Sequence, residues 1–356
     1  MLLWFPGLLS RSLLGGVVCA FTSHSFIRHA NSALSIWGAL SLVVARRVPR
    51  LLIPQNGFAT VTSQALAAQP AILKPSQINW PENLSGDITP VECHSHNDEW
   101  RRVPLYEALS VGCISVEADT WLQNGDLHIG HVMGALTMNR TLHSLYLDPL
   151  LEIFRRLNST RQVDGSFRGI FDQKQSQSLN LLIDMKSEGH ITWPVLLEQL
   201  QPFYDEGYLT IFNGTDLIKG ALTVVGSGNT PFDLLKKNDS PRIVFYDAHI
   251  EQLGFNDEYN TTNTAWASGP FQDIIGRVNG KLLPKQKRMI RDQIAMANKK
   301  NLVARYWKTP AYPVAVRDHV WGYLMASGAG LLNVDQLLVA TQRNWAWCTF
   351  LGVSVC

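Results

Sequence analysis

The chain has 356 residues, of which 46% are hydrophobic and 17% charged, and its formal net charge is +2 at pH 7. This length allows one large domain or two ordinary ones. Residues 1–81 contain six basic residues and no acidic one, which leaves 25 basic and 29 acidic residues in 82–356. The second part is therefore mildly acidic, and nothing in it suggests a nucleic-acid-binding face. The five scattered cysteines exclude a disulfide framework and a Cys-x-x-Cys zinc site.

The first 81 residues are predicted to form a targeting or anchor region followed by a linker. Two apolar stretches, 13–21 and 33–45, are shorter than the roughly 20 residues of a comfortable membrane span. Two interpretations stay open: an organellar, mitochondrial presequence, or a signal peptide or short membrane anchor with basic flanks. Six glycosylation sequons favour the secretory or membrane-anchored alternative, and residues 55–81 are expected to be the linker. The sequons begin at Asn83, Asn139, Asn158, Asn213, Asn238 and Asn260.

Short apolar strands alternate with helical segments from residue 88 onward. Nine candidate strands, one more than a closed barrel needs, occur without a Gly-x-Gly-x-x-Gly fingerprint. This order predicts a TIM-type (β/α)8 barrel in residues 82–356, in preference to an open doubly wound sheet. One candidate strand is then expected to be an excursion. The nine lie at 90–93, 113–118, 126–130, 179–183, 209–212, 221–225, 242–246, 302–306 and 330–333.

Apolar residues at helical spacing predict the main helices between these strands. Pro149 is expected to bend or divide one of them, because proline cannot donate the backbone hydrogen bond of a helix interior. The predicted helices lie at 105–109, 142–156, 193–204, 285–300 and 314–326.

Polar side chains recur where the candidate strands end, and this recurrence favours the barrel. Catalytic residues of α/β barrels gather at the carboxyl ends of their strands. One rim could therefore collect all of these side chains. They are His94, His96, Glu117, Asp119, His131, Asp184, Lys186, Asn213, Asp247, His249, Trp307, Lys308 and Asp335.

The stretch around Glu117 and Asp119 predicts a cation site. Residues i and i+2 of a strand point the same way, so the two carboxylates project together. With Asp184 they offer the oxygen ligands that Mg²⁺ or, alternatively, Ca²⁺ prefers. Lys186 would face the same way as Asp184 and add a second positive charge, which suits a phosphoryl group in transfer. Of the flanking histidines, one can act as general acid and another as general base near pH 7. Carboxylates, lysine and histidines together are the groups that a phosphodiesterase needs.

Five runs of this chain resemble a known family. His96, Glu117-x-Asp119, His131 and Asp184-x-Lys186 resemble the site of the glycerophosphodiester phosphodiesterases and of the related phospholipase D and phosphatidylinositol-specific phospholipase C group. Over roughly residues 88–340 the chain is more similar still to the fungal family called altered inheritance of mitochondria protein 6. The runs are C-H-S-H-N-D, S-V-E-A-D-T-W-L, L-H-I-G-H, R-T-L-H-S-L-Y-L-D-P-L and L-L-I-D-M-K-S-E.

The resemblance implies a barrel that binds Mg²⁺ through carboxylates and cleaves a phosphodiester or phospholipid headgroup with two histidines. The metal ligands would be Glu117, Asp119 and Asp184. His131 matches the second family histidine better than His128 does, and His96 is preferred to His94 as the first. Lys186 would contact the substrate, and Trp307 resembles an aromatic residue at the substrate mouth. Val132 departs from the family pattern, because many glycerophosphodiesterases have an aspartate at that place.

Two other interpretations remain. His94-Ser95-His96 is also the His-x-His pattern by which amidohydrolase-type barrels hold transition metals, with Asp335 as the acid of the last strand and His249 as a further candidate. Alternatively, the barrel binds a phospholipid headgroup or a partner without turnover, since fold does not imply function. Membrane association would involve the N-terminal region.

Cys93 and Cys113 lie beside two of the candidate site strands. They are expected to be buried free thiols. A bridge that involves Cys348 or Cys356 stays open, because connectivity does not follow from sequence.

Overall fold

Eight parallel strands close into a barrel in the part of the chain that the structure describes. The structure, a computed structural model, describes residues 55–68, 72–158, 167–237, 241–345, 349–350 and 353–354. The barrel is closed because the first strand pairs with both the second and the last. In chain order the barrel strands are β1 (Val91–Ser95), β2 (Cys113–Gln123), β4 (Leu179–Met185), β7 (Leu222–Gly228), β8 (Val244–His249), β9 (Thr264–Pro270), β10 (Val303–Trp307) and β11 (Leu331–Val334). The predicted TIM-type (β/α)8 barrel is confirmed.

Two of the nine candidate strands lie outside the barrel. The one at 126–130 is β3 (Asp126–Ile129), which folds back antiparallel on the end of β2. The turn between them is Asn124-Gly125, and both residues have positive φ, as an Asn-Gly hairpin turn requires. The candidate at 209–212 contributes to a separate hairpin of β5 (Ile211–Phe212) and β6 (Leu217–Ile218).

The strand β9 was missed by the sequence prediction. Its sequence, Thr-Ala-Trp-Ala-Ser-Gly-Pro, contains one large apolar side chain and ends in glycine and proline. Such a strand lacks the β-branched and aromatic enrichment by which strands are recognised. It nevertheless pairs with β8 on one side and β10 on the other, so it belongs to the barrel wall.

The helices cover the barrel between its strands. The prediction for 314–326 is confirmed, since that helix spans Val314–Ala326. The segment predicted at 142–156 is divided at Asp148 into a π-helical turn (His143–Leu147) and an α-helix, with Pro149 in the first turn of the α-helix, where proline is tolerated. The α-helices are α1 (Gly57–Ala67), α2 (Tyr106–Ser110), α3 (Asp148–Leu157), α4 (Gly189–Asp205), α5 (Phe232–Lys236), α6 (Phe271–Ile274), α7 (Pro284–Lys299), α8 (Val314–Ala326) and α9 (Leu337–Thr341).

Shorter elements complete the described chain. A two-stranded sheet joins β12 (Thr349–Phe350) and β13 (Val353–Ser354) near the C-terminus. Single 3₁₀ turns lie in the loops, and one of them follows β1 directly. The 3₁₀ turns are Pro75–Gln77, Asp98–Trp100, Met133–Ala135, Asp172–Lys174 and Ile250–Gln252.

The segment expected to be a linker contains a packed helix. Phe58 and Val61 of α1 are fully buried and belong to the main hydrophobic core. Asn56 caps the helix by accepting a hydrogen bond from the backbone N–H of Ala59 at 2.8 Å. The compact unit of the described residues therefore begins at Gln55 and not at residue 82. The apolar stretches at 13–21 and 33–45 lie outside the described residues.

Cys93 and Cys113 form a disulfide, so the prediction of free thiols is wrong. Cys93 lies on β1 and Cys113 begins β2, and these neighbouring parallel strands bring the two Cα atoms to 4.9 Å. Both side chains are fully buried. The bond ties together the two strands that carry the candidate histidines and the first two carboxylates. The alternative of a bridge that involves Cys348 or Cys356 falls on residues outside the described part of the chain.

We expect reduction of this disulfide to lower the free energy of unfolding by about 3 kcal/mol, because the bond closes a loop of 20 residues in the unfolded chain. Urea denaturation with and without dithiothreitol measures the difference. The double variant Cys93→Ala/Cys113→Ala is the control, since dithiothreitol cannot act on it at this place. Identical unfolding of the wild-type protein under both conditions would contradict the assignment.

Candidate active site

Three carboxylates converge at the carboxyl ends of β2 and β4. Glu117 and Asp119 both point to the barrel interior, while Val116 and Ala118 are buried on the other face of β2. The parallel register places Asp119 opposite Asp184 of β4. Glu117, Asp119 and Asp184 each offer an oxygen within 4.8 Å of the others. The predicted grouping of these residues is thus present in the structure.

The Asp119 carboxylate lies at the centre of the group. Its Oδ2 atom accepts hydrogen bonds from His131 Nδ1 at 2.7 Å and from Lys186 Nζ at 3.1 Å. Its Oδ1 atom is buried and has no hydrogen-bond partner among the described residues. Burial, followed by the nearby charge of Glu117, raises the pKa of Asp119 above its usual value. A buried oxygen without a partner, beside two further carboxylates, suits a divalent cation that takes oxygen ligands.

Asp184 is held in place from two sides. Lys186 Nζ pairs with its Oδ2 atom, and Ser227 Oγ donates to its Oδ1 atom at 3.1 Å. Gly228 adjoins the same carboxylate with φ of +62°, and a Cβ atom there would overlap Asp184 Oδ1. The attraction of Asp184 and Asp119 outweighs the effect of burial and raises the pKa of Lys186 above its usual value. Lys186 therefore stays charged at the edge of the carboxylate group.

His94 and His96 have separate partners and different exposure. The His94 ring is fully buried, with Nδ1 2.7 Å from Ser115 Oγ and Nε2 3.2 Å from Glu117 Oε2. Burial, followed by the charge of Arg305, lowers the pKa of His94 to about 4. As a neutral imidazole, His94 donates from Nε2 to Glu117 and accepts from Ser115. Both of its ring nitrogens are therefore occupied.

His96 is the more accessible of the two histidines. Its side chain is 24% exposed, and its Nδ1 atom lies 2.8 Å from Asp335 Oδ1. Burial opposes protonation, but the hydrogen bond with Asp335 and the charge of Glu117 raise the pKa of His96 above its usual value. A cavity of about 100 Å³ opens beside this ring. Its lining includes His96, Lys308, Arg317, Trp321 and Asp335.

His131 approaches the carboxylates from the loop after β3. Its side chain is 42% exposed, and Nδ1 donates to Asp119. The Trp100 ring packs edge-on against it, with ring centroids 5.1 Å apart. The second ring nitrogen has no hydrogen bond to any described residue. By contrast, His128 is buried, with Nδ1 3.3 Å from the carbonyl oxygen of Thr137, and among the described residues its ring makes no hydrogen bond to the three carboxylates.

Glu117 stays ionised although burial disfavours its charge. Desolvation disfavours the carboxylate, but the hydrogen bond from His94, together with the positive charges of His96 and Arg305, keeps the pKa of Glu117 below its usual range. The backbone N–H of Asn97 also donates to Glu117 Oε2 at 3.2 Å. Glu117 is therefore an ionised carboxylate inside the barrel.

Arg305 is a part of the site that the sequence prediction missed. It lies inside the barrel with 4% exposure and donates to Asp247, Ser268 and Asn333 at 3.2, 3.0 and 2.9 Å. Its guanidinium also lies 5.4 Å from the ring centroid of Trp266, which packs edge-on against His94. Arg305 is the one charged residue of the strand Val303–Trp307. Because a charged residue in a barrel strand needs a partner, its position in the strand was the signal that could have identified it.

Glu99 is a second missed residue. It lies in the 3₁₀ turn after β1, it is 3% exposed, and neither of its carboxylate oxygens has a hydrogen-bond partner among the described residues. Burial, followed by the charge of Asp119, raises the pKa of Glu99 to about 9. No strand or helix pattern around Glu99 predicts that this side chain points inward.

Among the described residues, the remaining rim residues have partners other than the three carboxylates. Trp307 is partly buried at the end of β10, with Lys308 Nζ 5.1 Å from its ring centroid and 3.0 Å from Asp273. His249 is exposed, 3.8 Å from Glu251, and Asn213 turns the β5–β6 hairpin. Within the described residues, neither group that could hold an ion contains His94, His96 or His249. This arrangement does not support the amidohydrolase interpretation.

Comparison with known proteins identifies the family. A family model described as an AIM6-like phosphodiesterase domain matches residues 82–247. A protein of Arthroderma benhamiae named altered inheritance of mitochondria protein 6 homolog is 38% identical over 275 residues, which cover 73% of this chain and 86% of the relative. This chain belongs to the altered inheritance of mitochondria protein 6 family.

Two other members of the family show the same relation. The altered inheritance of mitochondria protein 6 of Eremothecium gossypii is 33% identical over 260 residues, covering 68% of this chain and 67% of the relative. That of Lachancea thermotolerans is 29% identical over 356 residues, covering 90% and 80%. No solved structure matches the chain. Among the helices of the described residues, none is long and apolar enough to cross a membrane.

Family membership confirms the resemblance noted in the sequence and gives the chain a phosphodiesterase-type barrel. The family match contains Glu117, Asp119, His131 and Asp184. It ends before β10, so Arg305 lies outside it.

We expect Arg305→Ala to lower the free energy of unfolding by about 3–5 kcal/mol, because it leaves the buried Asp247 carboxylate without its charged partner. Urea denaturation measures the loss. Arg291→Ala, at an exposed position of α7, is the matched control and should change stability by less than about 0.5 kcal/mol. Similar stability of the two variants would show that the buried pair is not needed.

Proposed function

We propose that this protein is a metal-dependent phosphodiesterase that acts on a glycerophosphodiester or on a (lyso)phospholipid headgroup. The observation that carries the proposal is the convergence on Asp119 of two carboxylates, a histidine and a lysine, inside a phosphodiesterase-type barrel. A non-catalytic barrel has no need of this combination. A non-catalytic barrel is the interpretation that a negative result of the turnover assay would favour.

Glu117, Asp119 and Asp184 would hold the cation, for which we propose Mg²⁺, with Ca²⁺ as the alternative. Three carboxylates without a thiolate match the oxygen ligands of these ions. When bound, the ion supplies positive charge that stabilises the developing charge on a phosphoryl group. Lys186, paired with Asp119 and Asp184, adds a second fixed positive charge on the same side.

His96 and His131 would transfer the protons. In the proposed reaction an oxygen nucleophile, either water or a neighbouring substrate hydroxyl, bonds to phosphorus while the bond to the leaving oxygen breaks. One histidine takes the proton of the nucleophile, and the other gives a proton to the leaving oxygen. Asp119 and Asp335 each orient one of the two rings through Nδ1.

His94 has a different proposed role. Because both of its ring nitrogens are occupied and its ring is fully buried, it is not free to exchange a proton with a substrate. Its hydrogen bond to Glu117 would instead position that carboxylate. His94 is therefore a positioning residue, and His96 remains our choice for the first catalytic histidine.

The headgroup would bind between the carboxylates and the cavity beside His96. Lys308 and Arg317 line this cavity, each in an ion pair with an aspartate, while Trp321 provides an aromatic wall. Trp307, at the end of β10, is the further candidate for substrate contact. Such a lining suits an anionic diester that carries an apolar or cationic substituent.

An oxidising compartment fits the proposed site. The buried Cys93–Cys113 disulfide is of the kind that forms in secreted proteins and is rare in the cytosol. It supports the secretory or membrane-anchored alternative. The names of the relatives refer to mitochondrial inheritance, and import into mitochondria is the other localisation that the proposal admits.

The purified full-length chain tests the proposal directly. We expect release of the headgroup from glycerophosphocholine or lysophosphatidylcholine with Mg²⁺, and loss of this activity with a chelator, because the carboxylates need the ion. Glu117→Gln should be as inactive as the chelated protein. Glu92→Gln, an exposed glutamate on β1, is the control. A folded protein that cleaves neither diester would favour the non-catalytic barrel.

We expect His96→Ala to reduce kcat by about 10²–10⁴, the usual contribution of a general acid or base. His94→Ala should be milder and should mainly weaken activation by Mg²⁺, because it affects Glu117. Initial rates over a series of Mg²⁺ concentrations separate the two effects. The reverse order would transfer the catalytic role to His94.

A further inference from the structure

The Glu99 carboxylate occupies an unusual place beside the proposed catalytic carboxylates. It is 3% exposed, and neither Oε1 nor Oε2 has a hydrogen-bond partner among the residues that the structure describes. The nearby Asp119 Oδ1 atom is buried and unpartnered in the same sense. A buried carboxylate is costly unless a cation or hydrogen bonds compensate it. Two such unpartnered groups side by side suit a positively charged ligand.

The turn that carries Glu99 is firmly held. The neighbouring Asp98 accepts hydrogen bonds from Ser95 Oγ and from the backbone N–H of Leu105, both at 2.6 Å. Arg140 donates to the Glu99 backbone carbonyl at 2.5 Å. The inward direction of the Glu99 side chain is thus fixed by the surrounding loop.

Glu99, Asp119 and His131 together make a ligand set. Each offers one ligand atom, and these atoms lie within 4.8 Å of one another. Two carboxylates and a neutral imidazole balance the charge of a divalent ion. An imidazole ligand suits Zn²⁺ and similar transition-metal ions, whereas the neighbouring set of Glu117, Asp119 and Asp184 contains oxygen alone. The two sets share Asp119.

We propose that Glu99, Asp119 and His131 form a second cation site, which binds Zn²⁺ or a similar transition-metal ion and inhibits the neighbouring site when it is occupied. The binding half stands on the geometry alone. The inhibitory half rests on the proposed function, in which His131 transfers a proton. An ion bound to the imidazole of His131 competes with that proton for the ring nitrogen. It also binds the Asp119 carboxylate, which the neighbouring site needs as a ligand.

Equilibrium dialysis of Zn²⁺ against the full-length protein, with Mg²⁺ in excess, tests the binding half. We expect Glu99→Gln to lower the affinity for one Zn²⁺ by at least about tenfold, because an amide is a poor substitute for the carboxylate ligand. Glu92→Gln, at an exposed position, is the matched control and should bind as the wild-type protein does. His131→Gln is the second variant, at a side chain that is 42% exposed, and should lose the same ion.

Activity with Mg²⁺ in the presence of Zn²⁺ tests the inhibitory half. Zn²⁺ should inhibit the wild-type protein at concentrations at least about tenfold below those that inhibit Glu99→Gln. Equal Zn²⁺ binding by the wild-type protein, Glu99→Gln and His131→Gln would overturn the site. Loss of binding in both variants, with equal sensitivity of wild type and Glu99→Gln to Zn²⁺, would overturn the inhibition. Zn²⁺ binding that depends on Glu99 in a protein without Mg²⁺-supported turnover would support the site and contradict the proposed function.

Discussion

The burial of two acidic side chains on one strand is the constraint on which the site depends. Glu117 and Asp119 point the same way because they are two residues apart on β2, and both lie inside the barrel. Their mutual repulsion has to be offset by positive charge or hydrogen-bond donors. The structure provides separate partners for each: His94 binds Glu117, while His131 and Lys186 bind Asp119. The proposed Mg²⁺ would complete this compensation.

The parts of this arrangement that depend on local pattern could be predicted from the sequence. The spacing of Glu117 and Asp119 fixes their common direction as soon as the segment is a strand. Asp184 joins them because parallel strands in a barrel present their carboxyl ends at the same rim. Helix α8 could also be predicted, and Pro313 directly precedes its first residue. These features need no knowledge of which strand pairs with which.

The features that escaped prediction depend on register and on packing. Cys93 and Cys113 meet only because of the particular register between β1 and β2. The strand β9 has little apolar pattern of its own and is defined by its neighbours on both sides. The sequence offered both His94 and His96, but their different partners, Ser115 and Asp335, come from distant segments. The inward direction of Glu99 is set by a loop, for which periodicity gives no rule.

The most direct test of the central claim is to locate a bound ion by anomalous diffraction from crystals of the full-length protein soaked in Mn²⁺, used in place of Mg²⁺. We expect an anomalous peak among the carboxylates of Glu117, Asp119 and Asp184. The Asp184→Asn variant should lose or weaken that peak. Mn²⁺ bound only at surface carboxylates, with no peak between these three residues, would contradict the account.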